Sequence, residues 1–241
     1  MAFVKELEWD SKFFGYPIGE IIEIENSFSK SLISVKGDYI FLVCKVNSNA
    51  QFDNEICKKN GGILVDEKVT FTFRFDKKLD VQKQNNCTHI FKPETSRNKL
   101  YDLAFQSGEF SRFKLDPNFR DNEFEKLYKA WIDNSIDKLI ANMVIIDDLS
   151  TTTGVLTLGE KNGAADIGIL AVDHSMRGRG IGRKLIERAF YESLKMGYSE
   201  ITVSTQKKNE KACHFYLKMG FSISKSENIY HFWNDSYIQN K

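Results

Sequence analysis

Arg177-Gly178-Arg179-Gly180-Ile181-Gly182 decides the reading of this chain. It stands where an apolar, strand-like run over 165–172 gives way to a helix over 180–196. On that helix Ile181, Leu185, Ile186, Ala189, Phe190 and Leu194 share one face, while Arg183, Lys184, Glu187, Arg188 and Glu192 lie elsewhere. Gly197 supplies the stop. Glycines let the backbone come close to a ligand. The first amides of a helix point outward without partners, and the helix dipole favours negative charge there. Two arginines add charge-assisted contacts. The turn reads as a cradle for a phosphate-bearing ligand, against the plainer reading of a glycine turn with its arginines in solvent. It is not a nucleotide P-loop, because Gly178 is followed five positions on by Arg183 and no Lys-Ser/Thr pair follows. Nor is it a dinucleotide fingerprint, whose last glycine would have to replace Arg183 or Leu185.

The 241 residues suffice for one large domain or two small ones, and 41% of them are hydrophobic, enough for a sizeable core. A net charge of +1, from 34 basic and 33 acidic residues, argues against a nucleic-acid binder. No apolar run approaches membrane-spanning length, and the first ten residues carry acids but no signal-type apolar core. Cys44, Cys57, Cys87 and Cys213 form no CxxC pair and read as reduced thiols of a cytoplasmic protein. His89, His174, His214 and His231 have no ligand-type spacing, so no metal is expected.

Residues 1–86 read as a small α/β domain, with strands over 18–24, 39–46, 63–65 and 69–75, a helix over 52–60, and a polar linker over 76–86. Residues 87–241 read as a second domain. Its strands are expected over 89–91, 138–147, 154–159, 165–172, 201–205, 223–226 and 230–233, and its helices over 96–105, 122–134, 180–196 and 209–220. Hairpins mixed with a crossover helix predict an α/β (α+β) protein with a mixed sheet flanked by helices.

A second constellation follows the glycine turn, from Asn209 to Phe221. Asn209 is a natural helix N-cap, and that role alone explains it. Tyr216 lies seven residues on, two turns along the same face, as either a packing tyrosine or a phenol aimed at a leaving group that needs a proton.

Arg177-x-x-Gly180-x-Gly182, a helix, a strand, and then Asn209-x-x-Ala212-x-x-Phe215-Tyr216-x-x-x-Gly220-Phe221 together resemble the GNAT superfamily of acyl-CoA-dependent N-acyltransferases. The resemblance implies a mostly antiparallel GNAT sheet and an acyl-CoA cosubstrate lying in a splay between the strands at 165–172 and 201–205. Its pyrophosphate would rest on the amides of Arg177, Gly178, Arg179, Gly180, Ile181 and Gly182. Backbone groups of Leu170, Ala171 and Val172 would hold the pantetheine and thioester, Asn209 would contact the CoA arm, and Tyr216 would protonate the departing thiolate. An N–H of Ala171 or Val172 would stabilise the oxyanion of amine attack. Glu109, Glu160 and Asp166 are candidates for the base, each with a plain surface role as the alternative.

Trp9–Gly15, Ser111-Arg112-Phe113 and Tyr128–Asn134 are similar to segments of the GNAT members that acylate a nucleotide-linked deoxyamino sugar, the dTDP-fucosamine N-acetyltransferases of surface-polysaccharide synthesis. That similarity implies an acceptor site in which Arg112 pairs with phosphate and Phe14, Phe113 or Trp131 stack on thymine or line the sugar. The long charged segment 114–123 would shape a pocket for another amino-sugar isomer or for an acyl group larger than acetyl, such as a hydroxyacyl. Other acceptors, namely a peptide amine, a polyamine or an aminoglycoside, stay open, as does a CoA-binding module without turnover. Tyr230, Phe232 and Trp233 could either pair two copies or fill a core.

Overall fold

A computed structural model of the chain describes residues 4–23, 32, 35, 37–76, 88–120, 122–148 and 151–239. Its strands are β1 (Val4–Glu6), β2 (Ile18–Ile21), β3 (Phe41–Asn47), β4 (Ile63–Arg74), β5 (Thr88–Ile90), β6 (Met143–Asp148), β7 (Thr152–Lys161), β8 (Ala164–Val172), β9 (Glu200–Gln206) and β10 (Ser222–Trp233). Its helices are α1 (Glu8–Phe14), α2 (Gln51–Lys59), α3 (Arg97–Ser107), α4 (Arg112–Leu115), α5 (Glu123–Ile136), α6 (Ile181–Lys195), α7 (Glu210–Lys218) and α8 (Asp235–Gln239). The strands form one ten-stranded sheet in the order β1-β2-β3-β10-β4-β9-β8-β7-β6-β5. Only the β2–β3 and β8–β9 pairs are parallel, so the sheet is mixed, as the alternation of hairpins and crossovers predicts, and mostly antiparallel, as the family resemblance implies. The linker expected over 76–86 lies outside the described residues except for Asp76. On either side of it the sheet is continuous, because β10 lies between β3 and β4.

The three longest helices, α6, α5 and α3, cover the sheet with their apolar faces. Ile181, Leu185, Ile186, Ala189 and Phe190 of α6 pack with Phe71, Leu156, Ile167, Val203 and Tyr216 on one side. Leu100, Leu103 and Ala104 of α3 and Phe124, Tyr128 and Ile132 of α5 pack with Val155, Ile169 and Ala171 on the other. No described helix is long and apolar enough to cross a membrane.

Several expected boundaries shift. The runs over 63–65 and 69–75 are one strand, because Asp66, Glu67 and Lys68 keep ladder partners on β10 and, for Lys68, on β9. The runs over 223–226 and 230–233 are likewise one strand, with register shifts in its pairing to β4. Residues 138–141 are not strand: Lys138 takes a left-handed φ of 59°, and β6 begins at Met143. Strand β1 and helices α1, α4 and α8 were not expected. Tyr230, Phe232 and Trp233 are buried core, so they offer no surface to a second copy.

The charged segment over 114–123, of which Asp121 lies outside the described residues, is anchored by its buried side chains. Asp116, Phe119 and Glu123 are buried. Asp116 Oδ2 accepts from His231 Nδ1 at 2.6 Å and from Trp233 Nε1 at 2.8 Å. Burial alone would raise the Asp116 pKa, but these bonds and one from the Asn118 amide hold it below its ordinary value. Burial lowers His231 to about 4, so at neutral pH the ring is uncharged and donates from Nδ1. Asp116 thereby pins α4, and with it Arg112, to β10; its amide also donates to the Arg112 carbonyl at 2.9 Å. Asp116→Ala strands two buried donors and should lower the free energy of unfolding by about 3 kcal/mol, read as a shifted urea midpoint at unchanged slope.

Candidate active site

The site begins where β8 and β9 part. They pair only at Ala165↔Ile201, Asp166↔Thr202 and Ile167↔Val203. Beyond that point β8 carries a bulge: Leu156 opposes Leu170 and Leu158 opposes Ile167, leaving Gly168 and Ile169 opposite Thr157. Thr157 Oγ1 accepts from the Ile169 amide at 2.9 Å and so satisfies the group the bulge displaces. A bulge bends its strand, here away from β9. The wedge opens into a cavity of about 990 Å³.

Which amides face the wedge follows from the ladder. The Asp173 amide donates to the Thr153 carbonyl at 2.9 Å. Antiparallel alternation then turns the Ala171 N–H toward β7 and leaves those of Leu170 and Val172 facing the gap. Of the two oxyanion donors expected, Val172 has its N–H free for the task and Ala171 does not.

At one end of the cavity lies the glycine turn. Gly178 and Gly180 take φ of 81° and 78°, the left-handed region that a side chain disfavours, and Gly180 caps α6. A Cβ built on either would meet nothing within 4 Å, so the turn borders open space. Arg177, Gly178, Gly180, Ile181 and Gly182 line the cavity, as do Leu170, Ala171 and Val172. Arg179 does not; it is exposed. The corner before the turn is rigid. Asp173 accepts from the Ser175 amide at 3.0 Å, from Ser175 Oγ at 2.6 Å and from Lys99 Nζ at 2.5 Å. The Lys99 bond is the largest of the effects that hold its carboxyl well below the usual carboxylate range. Arg177 Nε donates to the Val172 carbonyl at 3.2 Å, which ties the turn to the strand end.

Asn209 and Tyr216 both line the cavity from α7. Asn209 Oδ1 accepts from the Ala212 amide at 3.2 Å, the expected N-cap. Tyr216 is 5% exposed, its ring seated against Phe71, Phe215 and Phe221. Burial pushes its pKa well above the ordinary phenol value, with a smaller push from Cys213, so the hydroxyl keeps its proton at any working pH.

The far end of the cavity is built by α1, α4, α5, β3, β4 and β10. Arg112, Phe113 and Trp131 line it together with Asp10, Lys45, Asp66, Lys68, Tyr128 and Ile229. Phe14 does not line it; it stands behind Phe113, ring centroids 6.0 Å apart, and packs on Tyr16 and Phe119. Lys45, Ile229 and Asp66 form a row across β3, β10 and β4. Asp66 is 8% exposed, and its Oδ1 has no hydrogen-bond partner among the described residues. Burial pushes its carboxyl up to about 6, against the opposing effects of Arg112 and a hydrogen bond from Gln206. Burial likewise raises Asp10.

None of Asp10, Lys45, Asp66 and Lys68 was a sequence candidate. The signal was a charged run, Asp66-Glu67-Lys68, inside an otherwise apolar strand, read there as a break. The bases named from sequence fare differently. Asp166 accepts from Thr202 Oγ1 at 2.7 Å, Glu160 accepts from the Tyr198 hydroxyl at 3.3 Å, and neither lines the cavity, whereas Glu109 does.

Known proteins resemble this chain in sequence and in fold. Over 228 residues, 93% of this chain and 96% of the other, the chain is 23% identical to a dTDP-fucosamine acetyltransferase of Escherichia coli O6:H1. A GCN5-related N-acetyltransferase from Sphaerobacter thermophilus superposes with a TM-score of 0.62 at 12% identity, covering 90% of this chain and 73% of that one. A GNAT-family acetyltransferase from Colwellia psychrerythraea gives 0.57 at 14%, covering 90% and 80%. The model of the acetyltransferase (GNAT) family matches residues 98–221, more than half of the sequence and all of the glycine turn, the parted strands and Tyr216. The chain belongs to the acetyltransferase (GNAT) family.

Proposed function

We propose that the protein is an N-acyltransferase that moves an acyl group, acetyl or a larger hydroxyacyl, from acyl-CoA to the amino group of a dTDP-linked amino-deoxyhexose of the kind used in surface polysaccharides. One observation carries the choice of acceptor. Of the residues that line the far end of the cavity, Asp10, Lys45, Asp66, Lys68 and Ile229 lie outside those the family model matches. The similarity to the dTDP-fucosamine acetyltransferase spans 93% of the chain and so extends into that part. On this reading residues 1–86 form the acceptor-binding part and residues 87–241 the acyltransferase part.

The residues fit an acyl-CoA cosubstrate. The amides of the turn and the N-terminus of α6 would receive its pyrophosphate, and the parted edges of β8 and β9 would receive the pantetheine arm. The thioester supplies an activated acyl group. Asp66 takes the proton that the amine must lose to attack. The Val172 N–H donates to the oxygen that gains negative charge when the carbonyl becomes tetrahedral. Tyr216 gives its proton to the thiolate as the C–S bond breaks. Burial weakens the phenol as an acid but strengthens a buried thiolate as a base by the same cause, so the transfer stays matched.

The test is release of free thiol from acetyl-CoA and from longer acyl-CoAs against a panel of dTDP-amino sugars, peptide amines, polyamines and aminoglycosides. Turnover confined to dTDP-amino sugars is the expected result. Turnover on another class assigns the acceptor elsewhere, and CoA binding without thiol release on any acceptor makes the protein a non-catalytic CoA binder.

A further inference from the structure

Asp66 and Lys68 are two residues apart on β4, so they point to the same side of the sheet, separated along the strand by about 7 Å. Both line the far end of the cavity, and Arg112 lines it from α4. The two cations share an unusual condition. Lys68 is half-buried, and among the described residues its side chain has neither a salt bridge nor a hydrogen bond; only longer-range charges act on it. Arg112 is in the same state, its guanidinium 4.8 Å from the Phe113 ring centroid, with Asp66 and Asp10 felt only through space. The carboxylates that could have neutralised them are engaged or held away. Glu227, opposite Lys68 on β10, pairs with Lys225 at 2.7 Å. Glu20 pairs with Lys45 at 2.8 Å. Gln206 holds Asp66. Unpaired cations that face a cavity beside a buried carboxylate are placed to meet a ligand's negative charge.

We infer that Lys68 and Arg112 form a subsite for a fixed negative group on the acceptor, a phosphate or diphosphate, set beside the carboxylate of Asp66 that receives the acceptor's amine. The inference rests on the functional reading above and deepens it. The chamber is built for a molecule carrying both signs, an amine at one end and an anion about a sugar ring away. A polyamine lacks the anion and a free amino sugar lacks it too. A peptide amine close to a carboxylate shares the anion chemistry, so the test must separate the two sources.

Titration of dTDP into the CoA-saturated enzyme, followed by calorimetry, measures the subsite without turnover. Wild type should bind dTDP, and Lys68→Met should weaken that binding about 10- to 100-fold, the usual loss for one charge-assisted contact. Lys68→Arg should recover most of it. In kinetics, Lys68→Met should raise KM for a dTDP-amino sugar by a similar factor with kcat little changed. It should leave KM for the methyl glycoside of the same amino sugar where it was. A peptide with a free C-terminal carboxylate should bind no better than its amide; a preference for the carboxylate assigns the anion to a peptide and overturns the phosphate assignment. No binding of dTDP, or equal affinity in wild type and Lys68→Met, overturns the subsite even if dTDP-amino sugars are acylated. Charge-dependent dTDP binding without acylation of any dTDP-amino sugar keeps the subsite and sinks the functional reading instead.

Discussion

Tyr216→Phe lowers kcat by about 10²- to 10⁴-fold and leaves the dissociation constant for CoA near that of wild type. The ring is what packs on Phe71, Phe215 and Phe221, and phenylalanine keeps it, so the fold and the CoA end of the cavity stand. The hydroxyl alone is lost, and with it the proton for the departing thiolate. Steady-state kinetics beside equilibrium CoA binding separates this from a packing role. A packing tyrosine would lose both together or neither. An unchanged kcat with a well-folded variant would remove Tyr216 from the chemistry.

Asp66→Asn is the second large effect, on the order of 10²-fold in kcat/KM at neutral pH, and it comes with a pH signature. A carboxyl pushed up to about 6 accepts a proton only above that value. In wild type kcat/KM should therefore rise with pH through about 6 and level off. In Asp66→Asn that limb should vanish, leaving a low, flatter profile. Stability should move the other way. The folded pKa lies above the unfolded one, so the native state binds more protons between about 4 and 6 and loses stability as pH rises through that window. Above it the buried carboxylate is a liability that asparagine lacks. The variant should melt higher than wild type at pH 7 while turning over more slowly, the pairing expected of a group kept for function. A profile whose acid limb persists in Asp66→Asn would move the base to another residue, with Glu109 next in line because it alone of the earlier candidates borders the cavity.

Legibility followed locality. The glycine turn, the face of α6 and the Asn209 cap are set by residues close in sequence, and the structure places them where the sequence reading expected. Arg112, Phe113 and Trp131 also meet the cavity. What was not legible depends on distant pairings. Asp66 and Lys68 look like an interruption until β10 and β9 are seen on either side of β4, holding charged residues in strand register. Asp116 looks like a loop acid until His231, more than a hundred positions on, closes over it. Phe14 and Arg179 were named for chemistry their types allow, but their neighbours turn one into wall backing and the other into solvent. Which N–H of Leu170, Ala171 and Val172 is free needed the ladder to β7, a fact of pairing rather than of residue type.

The insertion of β10 between β3 and β4 sets the order in which the protein can be made. Those two strands have no hydrogen bonds to each other and meet only through residues 222–233. As the chain leaves the ribosome, β3 and β4 must wait for a segment synthesised about 150 residues after β4, a long-range closure of the kind that slows folding. Until then two strand edges are bare, and the acceptor chamber, whose Lys45 and Asp66 flank β10, has no floor. Nascent chains stalled before Ser222 should therefore be the species that chaperones hold and proteases find.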